Sequence, residues 1–122
     1  MPGEFIISVI DDDESFRMAL VGLLRSLGYD ARGFASAVEF ANVGQEEPCD
    51  CIITDFKMSG MSGLDLIQLL IARGSKVPII MITGCPDPGL EAEALAGGAV
   101  CLLMKPFEPD ALIGSLEGAL NS

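Results

Sequence analysis

The 122-residue chain contains no histidine, and its seven basic residues face 18 acidic ones, a formal net charge of −11. So few bases cannot neutralise phosphates in bulk, which sets direct nucleic-acid binding aside. The acid excess favours metal cations and basic partner surfaces instead. No apolar run is long enough to cross a bilayer, so no membrane partner is expected. The start, Met1-Pro2-Gly3-Glu4, is acidic and lacks a secretory pattern. Without histidine, and with Cys49 and Cys51 spaced C-x-C, a zinc ligand set is incomplete. Cys51 and Cys101 fall in apolar strand patterns, as buried thiols do, and reduced thiols fit a cytoplasmic location. No linker, repeat or low-complexity segment divides the chain. Half its residues are hydrophobic, and the length suits one domain, 1–122, with no output domain.

What is present is an alternation of apolar strands and amphipathic helices. Strands are expected at Phe5–Ile10, Asp30–Phe34, Cys51–Thr54, Ile79–Ile82 and Val100–Leu103. The first helix carries Phe16, Leu20, Leu23, Leu24 and Leu27 on one face, and Gly28 stops it. Ser36 to Glu39 matches a capping box for the second helix, with residues 44–48 as its exit loop. The third helix runs from Gly63 to Ala72 with Ser62 as cap. The fourth is short, Pro88 to Ala96, capped by Asp87 and ended by Gly97-Gly98. The fifth runs from Glu108 or Pro109 to Leu120. Strands three to five are nearly all apolar, as parallel strands buried on both faces are. With right-handed crossovers this gives an α/β fold, a single doubly wound (βα)5 domain. The order 2-1-3-4-5 brings the acids after strand one beside Asp55 after strand three.

Polar residues stand at successive strand ends: Asp11 and Asp12, Asp55, Thr83 and Lys105. Any one of them has an ordinary structural use, as helix cap, strand-end hydroxyl or solvated loop lysine. Together they crowd the sheet edge where ligands of such folds bind. Three carboxylates repel one another unless a cation lies among them, and oxygen ligands with room for water suit Mg²⁺. Phosphoryl transfer needs mainly positioning and charge neutralisation. In that chemistry Asp55 is the nucleophile, Lys105 a second positive charge and Thr83 a hydroxyl donor to a phosphoryl oxygen.

These motifs resemble the receiver domain of two-component response regulators, the CheY-like family. Ile10-Asp11-Asp12-Asp13 looks like its acid pair, and Asp55 with Met58 and Gly63 like its phosphoacceptor strand and loop. Thr83-Gly84 and Lys105-Pro106-Phe107 look like its hydroxyl and lysine motifs. Met81-Ile82-Thr83-Gly84 and Ala96-Gly97-Gly98-Ala99-Val100 look closest to the FixJ-type subgroup. The resemblance implies that Asp55 takes a phosphoryl group from a histidine kinase or phosphotransfer protein. It implies Mg²⁺ held by Asp12, Asp55 and the backbone carbonyl of Lys57, with Asp11 acting largely through water. It implies a cis Lys105–Pro106 bond. It also implies output through the face of helix four, strand five and helix five, to a downstream protein effector or a second copy. Such a module is no enzyme beyond its own phosphorylation and dephosphorylation.

Two positions depart from the family pattern: Ser59 stands for a proline, and Leu102 for the aromatic three residues before the lysine. Signal relay by a rotating ring at Leu102 is then not expected. The resemblance implies that Lys57 and Cys85 flank the path of a hydrolytic water; neither is a good base for it, so slow autodephosphorylation is expected. Two other readings compete. A pseudo-receiver would bind partners without phosphorylation. A haloacid-dehalogenase-type phosphatase would use Asp11-x-Asp13 and leave Asp55 idle.

Overall fold

A computed structural model describes residues 5–43, 49–58, 60–84 and 88–121. Five strands alternate with five helices: β1 Ile6–Ile10, α1 Glu14–Ser26, β2 Asp30–Phe34, α2 Ala37–Val43, β3 Cys51–Asp55, α3 Gly63–Ala72, β4 Ile79–Thr83, α4 Leu90–Gly97, β5 Cys101–Met104 and α5 Pro109–Leu120. The strands form one parallel sheet in the order β2-β1-β3-β4-β5, as the acid placement required.

Alternation along the strands sends side chains to two cores. On one face Ile7, Val9, Cys51, Ile53, Ile80 and Ile82 meet Leu20 and Leu24 of α1 and Leu112 and Leu116 of α5. On the other, Ile52, Ile79 and Met81 meet Phe40 of α2, Leu66 and Ile67 of α3 and Ala94 of α4. Each fully buried Ile or Leu contributes about 1.5–3 kcal/mol. With both faces covered, β3 and β4 are buried along their whole length.

The strand ends differ slightly from expectation. Asp55 and Thr83 belong to β3 and β4 rather than following them, because both keep their ladder pairing: Asp55 opposite Ile82, Thr83 opposite Met104. β5 starts and ends one residue later than the apolar run suggests, at Cys101 and Met104. It is not buried on both faces: no position is fully buried, and Met104 is 46% exposed. The cause is its place at the sheet edge, where apolar composition does not guarantee cover.

Helix ends follow local chemistry. Asp13 caps α1 by accepting from the Phe16 amide, and Gly28 leaves that helix at φ 99°. Ser62 and Asp65 form a reciprocal capping box on α3. The box expected at α2 is shifted: Ser36 accepts from the Glu39 amide, but Glu39 reaches back to Ala35 rather than Ser36. α4 begins at Leu90, not Pro88; its cap is Gly89 at φ 85°, with no side-chain hydrogen bond. Asp87, the expected cap, lies outside the described residues.

Gly22 and Gly114 occupy exposed helical positions where an added Cβ meets nothing within 4 Å. Each glycine costs backbone entropy without a steric reason. Gly22→Ala and Gly114→Ala should each stabilise the fold by about 0.5–1 kcal/mol, read from urea midpoints at unchanged m. A loss at either position would contradict the open space around it.

Candidate functional site: three carboxylates facing a lysine

The site lies where β1 and β3 end side by side. Ile10 pairs with Thr54, so Asp11 and Asp55 leave adjacent strands at one edge. Asp11 is fully buried, Asp55 is 8% exposed, and Asp12 faces solvent. One carboxylate oxygen from each of these three lies within 4.8 Å of the others. The sequence places them together, and the fold does so.

Local bonds fix the two buried acids. Asp11 Oδ1 accepts from the Asp13 amide at 2.9 Å, and the Asp11 carbonyl accepts from Arg17 Nη1 at 2.7 Å. The Asp55 carbonyl accepts from the Thr54 hydroxyl at 3.1 Å. The loop after Asp55 is closed by the Gly63 amide, which donates to the Phe56 carbonyl at 2.9 Å.

Lys105 enters from the end of β5, its amide donating to the Thr83 carbonyl at 2.8 Å. Its Nζ lies 2.9 Å from Asp11 Oδ2 and 3.6 Å from Asp55 Oδ2. The Lys105–Pro106 bond is cis, as the resemblance implies. Burial by itself would push the Lys105 ammonium down, but the Asp11 hydrogen bond and the nearby acids outweigh it and hold it above its usual value. Burial raises the Asp55 carboxyl above the ordinary range, and Asp11 adds to the rise; Lys105 and the Phe56 amide only partly offset it. The site therefore holds more negative charge than its one lysine balances.

Thr83 is buried at the end of β4, at the same edge, one residue beyond the strand partner of Asp55. Lys57 is exposed in the loop after β3. Leu102 is half-buried on β5 and packs on the core face shared with α3 and α4. Cys85 and Ser59 lie outside the described residues. Asp13 is engaged as the α1 cap, which gives no support to an Asp11-x-Asp13 phosphatase motif.

The donor set suits a hard cation: oxygens alone, two of the three acids buried, and charge left unbalanced. Two contributors were not visible as site residues in the sequence. Phe16 reads there as an ordinary core position of α1, and nothing in the sequence singles out Arg17. Only the fold shows Phe16 beneath Lys105 and Arg17 bonded to the Asp11 backbone.

The model of the response regulator receiver domain matches residues 7–117. The chain belongs to that family. It is 38% identical over 118 residues to response regulator protein TmoT of Ectopseudomonas mendocina, covering 97% of this chain and 54% of that protein. It is 39% identical over 121 residues to transcriptional regulatory protein FixJ of Azorhizobium caulinodans, covering 99% and 57%. The receiver thus spans about half the length of the curated relatives it matches. The solved structure of FixJ-N superposes with a TM-score of 0.90 at 30% identity, covering 97% of this chain and 94% of that one. This receiver has the CheY-like, flavodoxin-like fold expected from its strand pattern. Among the described residues no helix is long and apolar enough to cross a membrane.

Proposed function

We propose that this receiver accepts a phosphoryl group on Asp55 from a histidine kinase or phosphotransfer protein in the cytoplasm, and that this switches a protein-binding face. The observation that carries the reading is the Asp11–Asp12–Asp55 cluster with Lys105 Nζ placed between two of its members. The Asp55 carboxylate attacks phosphorus as the bond from phosphorus to the donor imidazole breaks; the imidazole leaves with that electron pair and takes a proton from solvent. Lys105 is already positioned to move from a carboxylate oxygen to an incoming phosphoryl oxygen. Thr83, at the neighbouring strand end, is the hydroxyl assigned to another. Mg²⁺ would be held by Asp12, Asp55 and the Lys57 carbonyl, with Asp11 through water, and would neutralise phosphoryl charge. Catalysis is confined to the receiver's own phosphorylation and dephosphorylation, the latter slow, with the exposed Lys57 in the loop beside Asp55.

The switched face is that of α4, β5 and α5, offered to a protein effector or a second copy. It exposes Leu95 and Met104, with Val100 just before β5, beside the solvent-facing acids Glu91, Glu93, Glu108 and Asp110. Apolar positions bordered by one sign of charge suit a basic partner. α4, with its uncapped start and glycine end, is built to open at low free-energy cost.

The test is incubation with acetyl phosphate and Mg²⁺, then mass spectrometry after borohydride trapping. A single adduct on Asp55 is expected, with hydrogen exchange changing most between residues 85 and 103. No adduct, or an adduct elsewhere, would overturn the reading.

A further inference from the structure

Lys105 is held from three directions, and only two of them are acids. Its Nζ lies 4.0 Å from the centroid of the Phe16 ring, on the face of that ring. Phe16 sits in the first turns of α1, just after the acid pair and its cap. The edge of the pair it forms with Phe107 is set by a 6.1 Å centroid separation and an 86° interplanar angle. Phe107 lies two residues beyond Lys105, so the ring that packs on Phe16 comes from the lysine's own loop. The side chain of Lys105 is 20% exposed, so water screens the contact only in part.

Core packing alone does not ask for an aromatic ring here. Phe16 is half-buried and packs only at the margin of the core, whereas Leu20, Val21 and Leu24 supply the buried face of α1, a role that leucine at position 16 would serve as well. A ring face does something leucine cannot: its quadrupole attracts a cation. A lysine side chain is otherwise free to occupy many rotamers, which delays it from reaching a phosphoryl oxygen.

We propose that Phe16 is a positioning residue for Lys105: its ring face holds the ammonium between Asp11 and Asp55, where charge develops during phosphoryl transfer. This rests on the phosphoacceptor reading of Asp55. The ammonium is thereby placed before the donor arrives, and transfer does not wait for a long side chain to be ordered.

Two measurements on the full chain test it. In proton NMR spectra the Lys105 ε-methylene should be shifted upfield by the Phe16 ring current, and Phe16→Leu should remove that shift. This readout does not depend on phosphorylation. The second is the rate of labelling by acetyl phosphate at saturating Mg²⁺. Phe16→Leu should slow it about three- to tenfold, while Phe16→Tyr stays near wild type. Incorporation of 3,4,5-trifluorophenylalanine at position 16 keeps the ring's packing but weakens its negative face. It should give an intermediate rate at an unchanged melting temperature, which a purely structural role would not produce. If the wild type labels and the fluorinated protein labels equally fast, the positioning role is wrong while Asp55 stands. If the wild type shows the ring-current shift but never labels, the phosphoacceptor reading fails and this proposal falls with it. If Phe16→Leu does not fold, the fluorinated protein alone decides.

Discussion

Asp55→Asn should abolish acyl phosphate labelling and, in the same protein, raise the melting temperature. The two effects have one cause. Asp55 is buried beside the fully buried Asp11, and its carboxyl is raised above the ordinary range, first by burial and then by that neighbour's charge. A raised folded value means that ionisation is harder in the folded state than in the unfolded one. The associated stabilisation is complete below the unfolded carboxyl value and is lost as pH rises through the folded value. At neutral pH the wild type therefore carries a penalty that asparagine removes, on the order of 1 kcal/mol. For a domain of this size that is roughly 3–6 °C. The gap between variant and wild type should close as pH falls through the carboxylate range. Mg²⁺ should stabilise the wild type, by about 1.4 kcal/mol at ten times its dissociation constant, and have much less effect on the variant. Calorimetry with and without Mg²⁺ at pH 7 and pH 4 checks each part. A variant that melts below wild type at neutral pH would show that the cluster is not strained by its own charge.

Gly63→Ala should cost about 2–3 kcal/mol, although alanine is the better helix former. A Cβ on Gly63 would lie 2.6 Å from the Asp55 carbonyl oxygen and 3.3 Å from both Met81 Cε and Phe56 Cα. Two of these neighbours are backbone, so relief requires α3 or the end of β3 to move. Gly63 is also the first residue of α3 and donates to the Phe56 carbonyl, which ties the helix start to the loop after Asp55. The expected result is a lower urea midpoint together with slower labelling of Asp55. Gly114→Ala, with open space around it, serves as the control. Stability equal to wild type would mean that helix and strand separate here at little cost.

The sheet order was legible because chemistry constrained it: acids after strands one and three are useful together only if those strands are neighbours. The helix cap at Ser62 was legible because it depends on a few consecutive residues. Three things depended on packing and were not. The apolar run of β5 reads like those of β3 and β4, yet only the strand's place at the edge leaves Met104 exposed. The start of α4 moved to Leu90 because the backbone turns at Gly89, a choice that Asp87-Pro88 does not reveal. Phe16 has the spacing of a core residue, and its cation arrives from the other end of the chain. Periodicity reports which face a residue occupies, not which charge stands over it.

The contact between Lys105 and Asp11 joins residues 94 apart in sequence. Between them the chain must lay down β3 against β1 and then β4 and β5 in turn, each by parallel pairing across a helix. No shorter segment contains the site. An incompletely synthesised or misassembled chain thus has acids but no opposing ammonium, and under the proposed function it would offer a kinase a poor acceptor. On that proposal competence to receive a signal is conditional on finished folding, and acyl phosphate labelling would double as a reporter of chain integrity.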